Sequence, residues 1–335
     1  HIIRTFENYD IFDEIGRGGF ATTFRAVERD QKRDVLLKVY NSGSVRIEEQ
    51  VAKELEILRD VTHPSLVKLW NVGSYKDQLF VAMEFVDGAP LYFFHRYLLN
   101  QYFDRFEKDR IPWAMPIQVD LERMLHSSSL PEVGTLDYFQ WVIAMGIDIA
   151  NGVNALHEAR LVHGDLKPSN VIVFWDGNRI GAKVSDFCID AVVANNRQLH
   201  KDSYPHNLSI TKTWSMDRAT LDPTTINHLV PFSKKYSAPE LMKGKSQRLN
   251  ASIDVYSLAV MLSELFFLPT HERNHRHLPN KLILTESSSA FGQIKNSDIS
   301  KILKRNSSEN PQFRSTSVME LMESLKRAMP FDIKI

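Results

Sequence analysis

Residues 161–173, LVHGDLKPSNVIV, followed by VSDF at 184–187, restrict this chain more than any other feature. An Asp-x-Lys-x-x-Asn run lies between apolar stretches of strand character, and a second aspartate follows another such stretch. Phosphoryl transfer needs an acceptor for a hydroxyl proton, oxygen ligands for a divalent ion, and cations for the charge on the transferring group. Asp165 answers the first need, Asn170 and Asp186 the second, and Lys167 the third. Asp165 is therefore expected to orient and accept from the nucleophile. Lys167 is expected to neutralise the γ-phosphate of ATP, and Asn170 with Asp186 to bind Mg2+.

The preceding segment supplies further parts of such a site. YDIFDEI, ATTFRAV and DVLLKVY within residues 9–40 read as three antiparallel strands, and LVKLWNV and LFVAMEF as two more. Ile47, Val51, Leu55 and Leu58 recur at helical spacing between the two groups and stop at His63-Pro64. Residues 1–86 are thus expected to form a five-stranded sheet with one helix. In IGRGGFATTF, Gly16 and Gly18 lie in a turn between strands, where missing side chains let backbone N–H groups close over phosphates. Lys38 ends the third strand and Glu54 lies on the helix. A buried lysine needs a carboxylate, and an ammonium held this way suits the α- and β-phosphates of ATP.

Beyond Gly88 the pattern turns helical. Val142, Met145, Ile149, Val153 and Leu156 make one apolar stripe, and Val255, Leu258, Leu262 and Leu265 another. Residues 87–335 are expected to form an α-rich lobe. Residues 89–135 and 190–232 lack sustained periodicity and read as insertions or regulatory loops.

Lysine plus arginine equals aspartate plus glutamate at 41 each, so no global field draws the chain to nucleic acid or an acidic membrane surface. The single cysteine, Cys188, excludes an intramolecular disulfide and a zinc site built on paired cysteines, which fits the cytosol or nucleus. Apolar runs such as Leu258 to Leu262 fall far short of the roughly 20 residues that cross a bilayer. A start at His1, with no charged-then-apolar leader, is expected of a segment of a longer parent chain.

Taken in order along the chain, these motifs resemble those of eukaryotic-type protein kinases of the serine/threonine type. KKYSAPE at 234–240 is similar to the family's Ala-Pro-Glu motif, DVYSLA at 254–259 to the helix that anchors its catalytic loop, and NPQFR ends at Arg314. The resemblance implies an α+β, two-lobed fold and a protein substrate with a serine or threonine acceptor. It also implies a buried Glu240–Arg314 pair, Met83 as gatekeeper of the adenine pocket, and Glu84 to Val86 as the hinge whose backbone holds the base. Leu58, Leu69, His163 and Phe187 match the family's stack of residues linking the lobes. Lys167 and Ser233 match serine/threonine rather than tyrosine specificity.

Several positions depart from that pattern. Ala21 stands for the third glycine of the phosphate loop, Gly164 for the arginine before the catalytic aspartate, and Cys188 for the glycine after Asp186-Phe187. Leu36 and Thr23 replace the small alanine and the valine that in the family lie against adenine. Without the arginine, an activation-loop phosphate has no usual receiver, and phosphate-independent activity is expected. Two other readings stay open: a pseudokinase acting as a nucleotide-binding or scaffolding module, and a small-molecule phosphotransferase, whose catalytic loop also reads His-Gly-Asp.

Overall fold

In the computed structural model, the described residues are 2–17, 21–40, 58–76, 78–95, 135–186, 235–242, 250–266 and 296–329. The first half builds an antiparallel sheet of β1 (Arg4–Phe6), β2 (Tyr9–Arg17), β3 (Ala21–Glu28), β4 (Arg33–Tyr40), β5 (Leu69–Tyr75) and β6 (Gln78–Glu84). Its strand order is β1-β2-β3-β4-β6-β5. The sheet thus has six strands where the sequence suggests five. The extra strand, β1, pairs Arg4 with Ile11 across a turn in which Glu7 takes φ 49°. Three residues are too few to show the period-2 alternation that reveals a strand.

Alternation along β4 divides its side chains between two cores. Val35, Leu37 and Val39 join Phe80 and Ala82 on one face, whereas Tyr40, Val81 and Met83 join the main core on the other. The first face is closed by the sheet itself. Phe6 on one edge strand meets Tyr75 on the other, with ring centroids 4.9 Å apart, and Asn71 Nδ2 donates to Tyr9 Oη at 3.3 Å. The sheet therefore curls until its edges touch, and among the described residues that face is buried by the sheet's own side chains. The opposite face is left to carry a site.

A second sheet, β7 (Gly88–Pro90), β8 (Val171–Trp175) and β9 (Ile180–Val184), runs in the order β7-β8-β9. The chain before β5 reaches over to it: Val67 N donates to Val184 O and Val184 N to Ser65 O, both at 2.8 Å.

Five α-helices lie wholly within the described residues: α1 (Leu136–Glu158), α2 (Pro239–Met242), α3 (Ser252–Phe266), α4 (Asn296–Asn306) and α5 (Val318–Ala328). Thr135 caps α1 by accepting from Tyr138 N, and Ser317 caps α5 by accepting from Glu320 N. Val142, Met145, Ile149, Val153 and Leu156 of α1 are all fully buried, as their spacing requires. Two ion pairs fix helices to their surroundings. Arg179, beside β9, grips Asp148 of α1 with both guanidinium nitrogens at 2.7 and 2.8 Å. Arg314 grips Glu240 of α2 in the same bidentate way, at 2.6 and 2.8 Å, and also donates to Ser252 O. The helix expected around Glu54 is described only from Leu58 onward, and the segments at 96–134 and 187–234 also lie outside the described residues.

Candidate active site

The site forms where the 162–170 loop leaves α1 and runs into β8. Asp254 of α3 holds this loop in shape. It is completely buried, and its two oxygens accept from His163 N and Gly164 N, each at 2.9 Å, and from His157 Nε2 at 2.8 Å. Burial alone would raise the pKa of Asp254, but the His157 and His163 rings and the Gly164 N–H pull it below the usual carboxylate range. Gly164 has φ 75°, a left-handed conformation that glycine adopts without a side-chain clash.

Three polar side chains project from the loop so formed. Lys167 Nζ donates to Asp165 Oδ2 at 2.5 Å. Asn170 Nδ2 donates to Asp165 O at 2.9 Å and reaches Asp165 Oδ2 at 3.5 Å. Asn170 is buried and directly precedes β8, while Asp165 and Lys167 are part-exposed, as groups that must meet another molecule have to be. Asp186 lies just past β9 with φ 54°, an uncommon conformation for a non-glycine residue. Its Oδ1 accepts from Lys38 Nζ of β4 at 3.3 Å.

His163 joins these two groups. Its Nδ1 accepts from Asp165 N at 3.3 Å, and its Nε2 pairs with Ser185 O at 3.2 Å. Since one ring nitrogen accepts and the other faces a carbonyl, the ring is the neutral tautomer protonated on Nε2. Burial keeps it so, pushing the His163 pKa down against the opposing pull of Asp254 and Asp165. Ser185 adds a second link through its N and Oγ, which donate to Asn170 O at 2.8 and 3.2 Å. Lys38, Asp165, Lys167, Asn170 and Asp186 thus belong to one assembly spanning both sheets, joined by these hydrogen bonds and by the peptide link from Ser185 to Asp186.

Met83 of β6 is buried and directly opposite Leu36 of β4. Glu84 ends β6. Its N–H donates to Lys68 O at 2.8 Å, and its carboxylate accepts from Lys68 N and pairs with Lys183 of β9. Val86 packs partly buried against the main core. Gly16 lies one residue before the end of β2, opposite Thr23, with open space where a Cβ would stand. Gly18, Glu54, Phe187 and Cys188 lie outside the described residues, as does Ser233. Leu58, Leu69 and His163 are all buried.

Sequence reasoning passed over His157 and Lys183 as partners, and it saw the Asp254 motif only as an anchor. The available signal was a charged residue, Asp254, bordering the apolar stripe of α3. Nothing local marks His157 or Lys183, because their partners lie on other elements.

With its Nδ2 committed to Asp165, Asn170 has Oδ1 as the atom to offer a cation. Together with the part-exposed carboxylate of Asp186, it makes an all-oxygen donor set that suits Mg2+.

Two family profiles match the chain: "Protein tyrosine and serine/threonine kinase" over residues 9–215 and "Protein kinase domain" over residues 140–330. Among curated proteins, it is 25% identical over 288 residues to CBL-interacting serine/threonine-protein kinase 26 of Arabidopsis thaliana, covering 84% of this chain and 51% of that protein. It is 27% identical over 321 residues to CBL-interacting protein kinase 19 of Oryza sativa subsp. japonica, covering 94% and 50%. Serine/threonine-protein kinase PknD of Chlamydia abortus is 24% identical over 328 residues, covering 96% of this chain and 31% of PknD. The chain thus spans about half the length, or less, of these relatives. Among solved structures, the PknI kinase domain of Mycobacterium tuberculosis aligns with a TM-score of 0.56 at 17% identity, covering 98% of this chain and 99% of that one, a likeness of fold. With profile matches running from β2 through the 162–170 loop to α5, and a two-sheet and helical architecture to match, the chain belongs to the protein kinase family.

Proposed function

We propose that this chain transfers the γ-phosphate of ATP to serine or threonine hydroxyls of a protein substrate. The observation that carries the reading is the continuous assembly from Lys38 through Asp186, Ser185 and His163 to Asp165, Lys167 and Asn170. Asp165 accepts the hydroxyl proton and orients the nucleophile. Lys167 neutralises charge on the transferring phosphate, and Lys38 holds the α- and β-phosphates. Asn170 and Asp186 hold Mg2+, which when bound offsets charge on the phosphate oxygens. Gly16 and Gly18 close over the phosphates, Glu54 supports Lys38, and Met83 with the backbone of Glu84 to Val86 holds the base.

Serine/threonine specificity is supported by Lys167, two residues after Asp165, and by the names of the relatives. A division into lobes of residues 1–86 and 87–335 is supported by the change from the first sheet, ending at Glu84, to the second, beginning at Gly88. Among the described residues no helix is long and apolar enough to cross a membrane.

The test is phosphate transfer from Mg-ATP to generic protein substrates. Transfer to serine or threonine is expected, and Asp165→Asn is expected to lower it by about 10²–10⁴-fold while leaving Mg-ATP binding in place. Equal transfer by wild type and Asp165→Asn would remove Asp165 from the reaction. The scaffold reading is favoured by Leu36 on the site-facing side of β4, and thermal stabilisation by Mg-ATP without any transfer would select it.

A further inference from the structure

We propose that Leu36 is a specificity-determining residue that narrows the slot for the nucleobase, so that affinity for a nucleotide is carried mainly by its phosphates. The proposal rests on the nucleotide-binding reading above and asks how this chain's own residues shape that site. Lys38 marks the phosphate end through its contact with Asp186. Leu36 lies two residues back along β4 on the same face, about 6–7 Å away. That face belongs to the main core, since Tyr40 of the same strand and Val81 and Met83 of the next are buried there, and Leu36 packs against them part-exposed.

The register shows why Leu36 has little room to turn aside. Its cross-strand neighbours are Met83 on one side and Arg25 on the other. Met83 is 3% exposed and fixed in the core. The part-exposed guanidinium of Arg25 is 3.5 Å from Asp34 and lies over the Phe85 ring, 4.9 Å from the centroid. Phe85 follows directly on Glu84, in the segment proposed to hold the base. Flanked in this way, the four-carbon side chain of Leu36 projects away from the sheet, into the space that the base of a nucleotide anchored at Lys38 must enter.

A side chain too large for a packed site costs about 1–3 kcal/mol, which converts to about 5- to 150-fold in affinity. The strain falls on the base alone, because Lys38, Asp186 and Asn170 meet the phosphates and the metal.

Calorimetric titration of the chain with Mg-ATP and with Mg-tripolyphosphate, a probe that lacks base and sugar, separates the two parts. Leu36→Ala is expected to tighten Mg-ATP by about 5- to 150-fold and leave Mg-tripolyphosphate unchanged, and Leu36→Val to do the same in smaller measure. If Leu36→Ala melts at assay temperature, the Leu36→Val comparison decides. Unchanged or weakened Mg-ATP binding, or equal tightening of both probes, overturns the proposal while leaving the nucleotide reading standing. If neither probe binds to any variant, the nucleotide reading falls and this inference falls with it.

Discussion

At the scale of single residues, His163 has two hydrogen bonds that only a neutral ring can make, to Asp165 N and Ser185 O. Its folded pKa lies below the ordinary value, so below about pH 6.5 the unfolded chain binds more protons than the folded one. The stability this residue contributes is therefore complete above that pH and is lost as pH falls from there toward the folded pKa. Urea midpoints should drop between pH 7 and pH 5.5, and His163→Leu should flatten that drop. At pH 7 the same substitution leaves the Asp165 N–H and the Ser185 carbonyl without their ring partner, a loss of about 1–3 kcal/mol for each buried group left unsatisfied. A variant as stable as wild type, with an unaltered pH profile, would show that the ring contributes only packing. Asp165, Lys167 and Asn170 were legible in the sequence because the chemistry of the loop is written in six consecutive positions. The tautomer of His163 was not, because it is set by Ser185 and by burial.

Among elements, two glycines of unlike surroundings set how closely α1 packs, Gly152 against the chain before β5 and Gly146 against α3 and α5. A Cβ on Gly152 would lie 2.5 Å from the carbonyl oxygen of Ser65, whose N–H···O ladder with Val184 joins the two sheets and cannot easily yield. A Cβ on Gly146 would meet chiefly the end of the Met322 side chain, at 2.8 Å from Cε, which can rotate away. Alanine favours an α-helix over glycine by about 1 kcal/mol. Gly146→Ala should thus be close to neutral, whereas Gly152→Ala should lose about 1–3 kcal/mol through overpacking. Thermal melts of the two variants separate these outcomes, and equal effects would mean that the loop around Ser65 adapts. Periodicity located α1 and its buried stripe, but it could not locate these glycines' neighbours, which come from Ser65 and Met322 on other elements.

On the scale of the whole molecule, the Arg314–Glu240 pair ties the segment after α4 to α2 and, through Ser252 O, to α3. The Arg314 side chain is fully buried and its guanidinium also lies over the Tyr256 ring at 4.9 Å. Arg314→Met would strand the Glu240 carboxylate, and a loss of about 3–5 kcal/mol is expected in chemical denaturation. A loss below about 1 kcal/mol would place the pair among surface ion pairs of little weight. The pair itself was foreseen from the family resemblance. Its additional partners were not, since carbonyl oxygens such as Ser252 O have no mark in a sequence.

The five strands from β2 to β6, the polar run of the 162–170 loop and the two apolar helix stripes were legible in the sequence alone, because each rests on a pattern among residues near one another in the chain. Tertiary structure alone decided how the sheet closes on itself through Phe6 and Tyr75, which donors satisfy Asp254, and that Leu36 is placed between Met83 and Arg25. Each of these depends on residues tens of positions apart, and they meet only after the chain has bought their proximity with the burial of a common core.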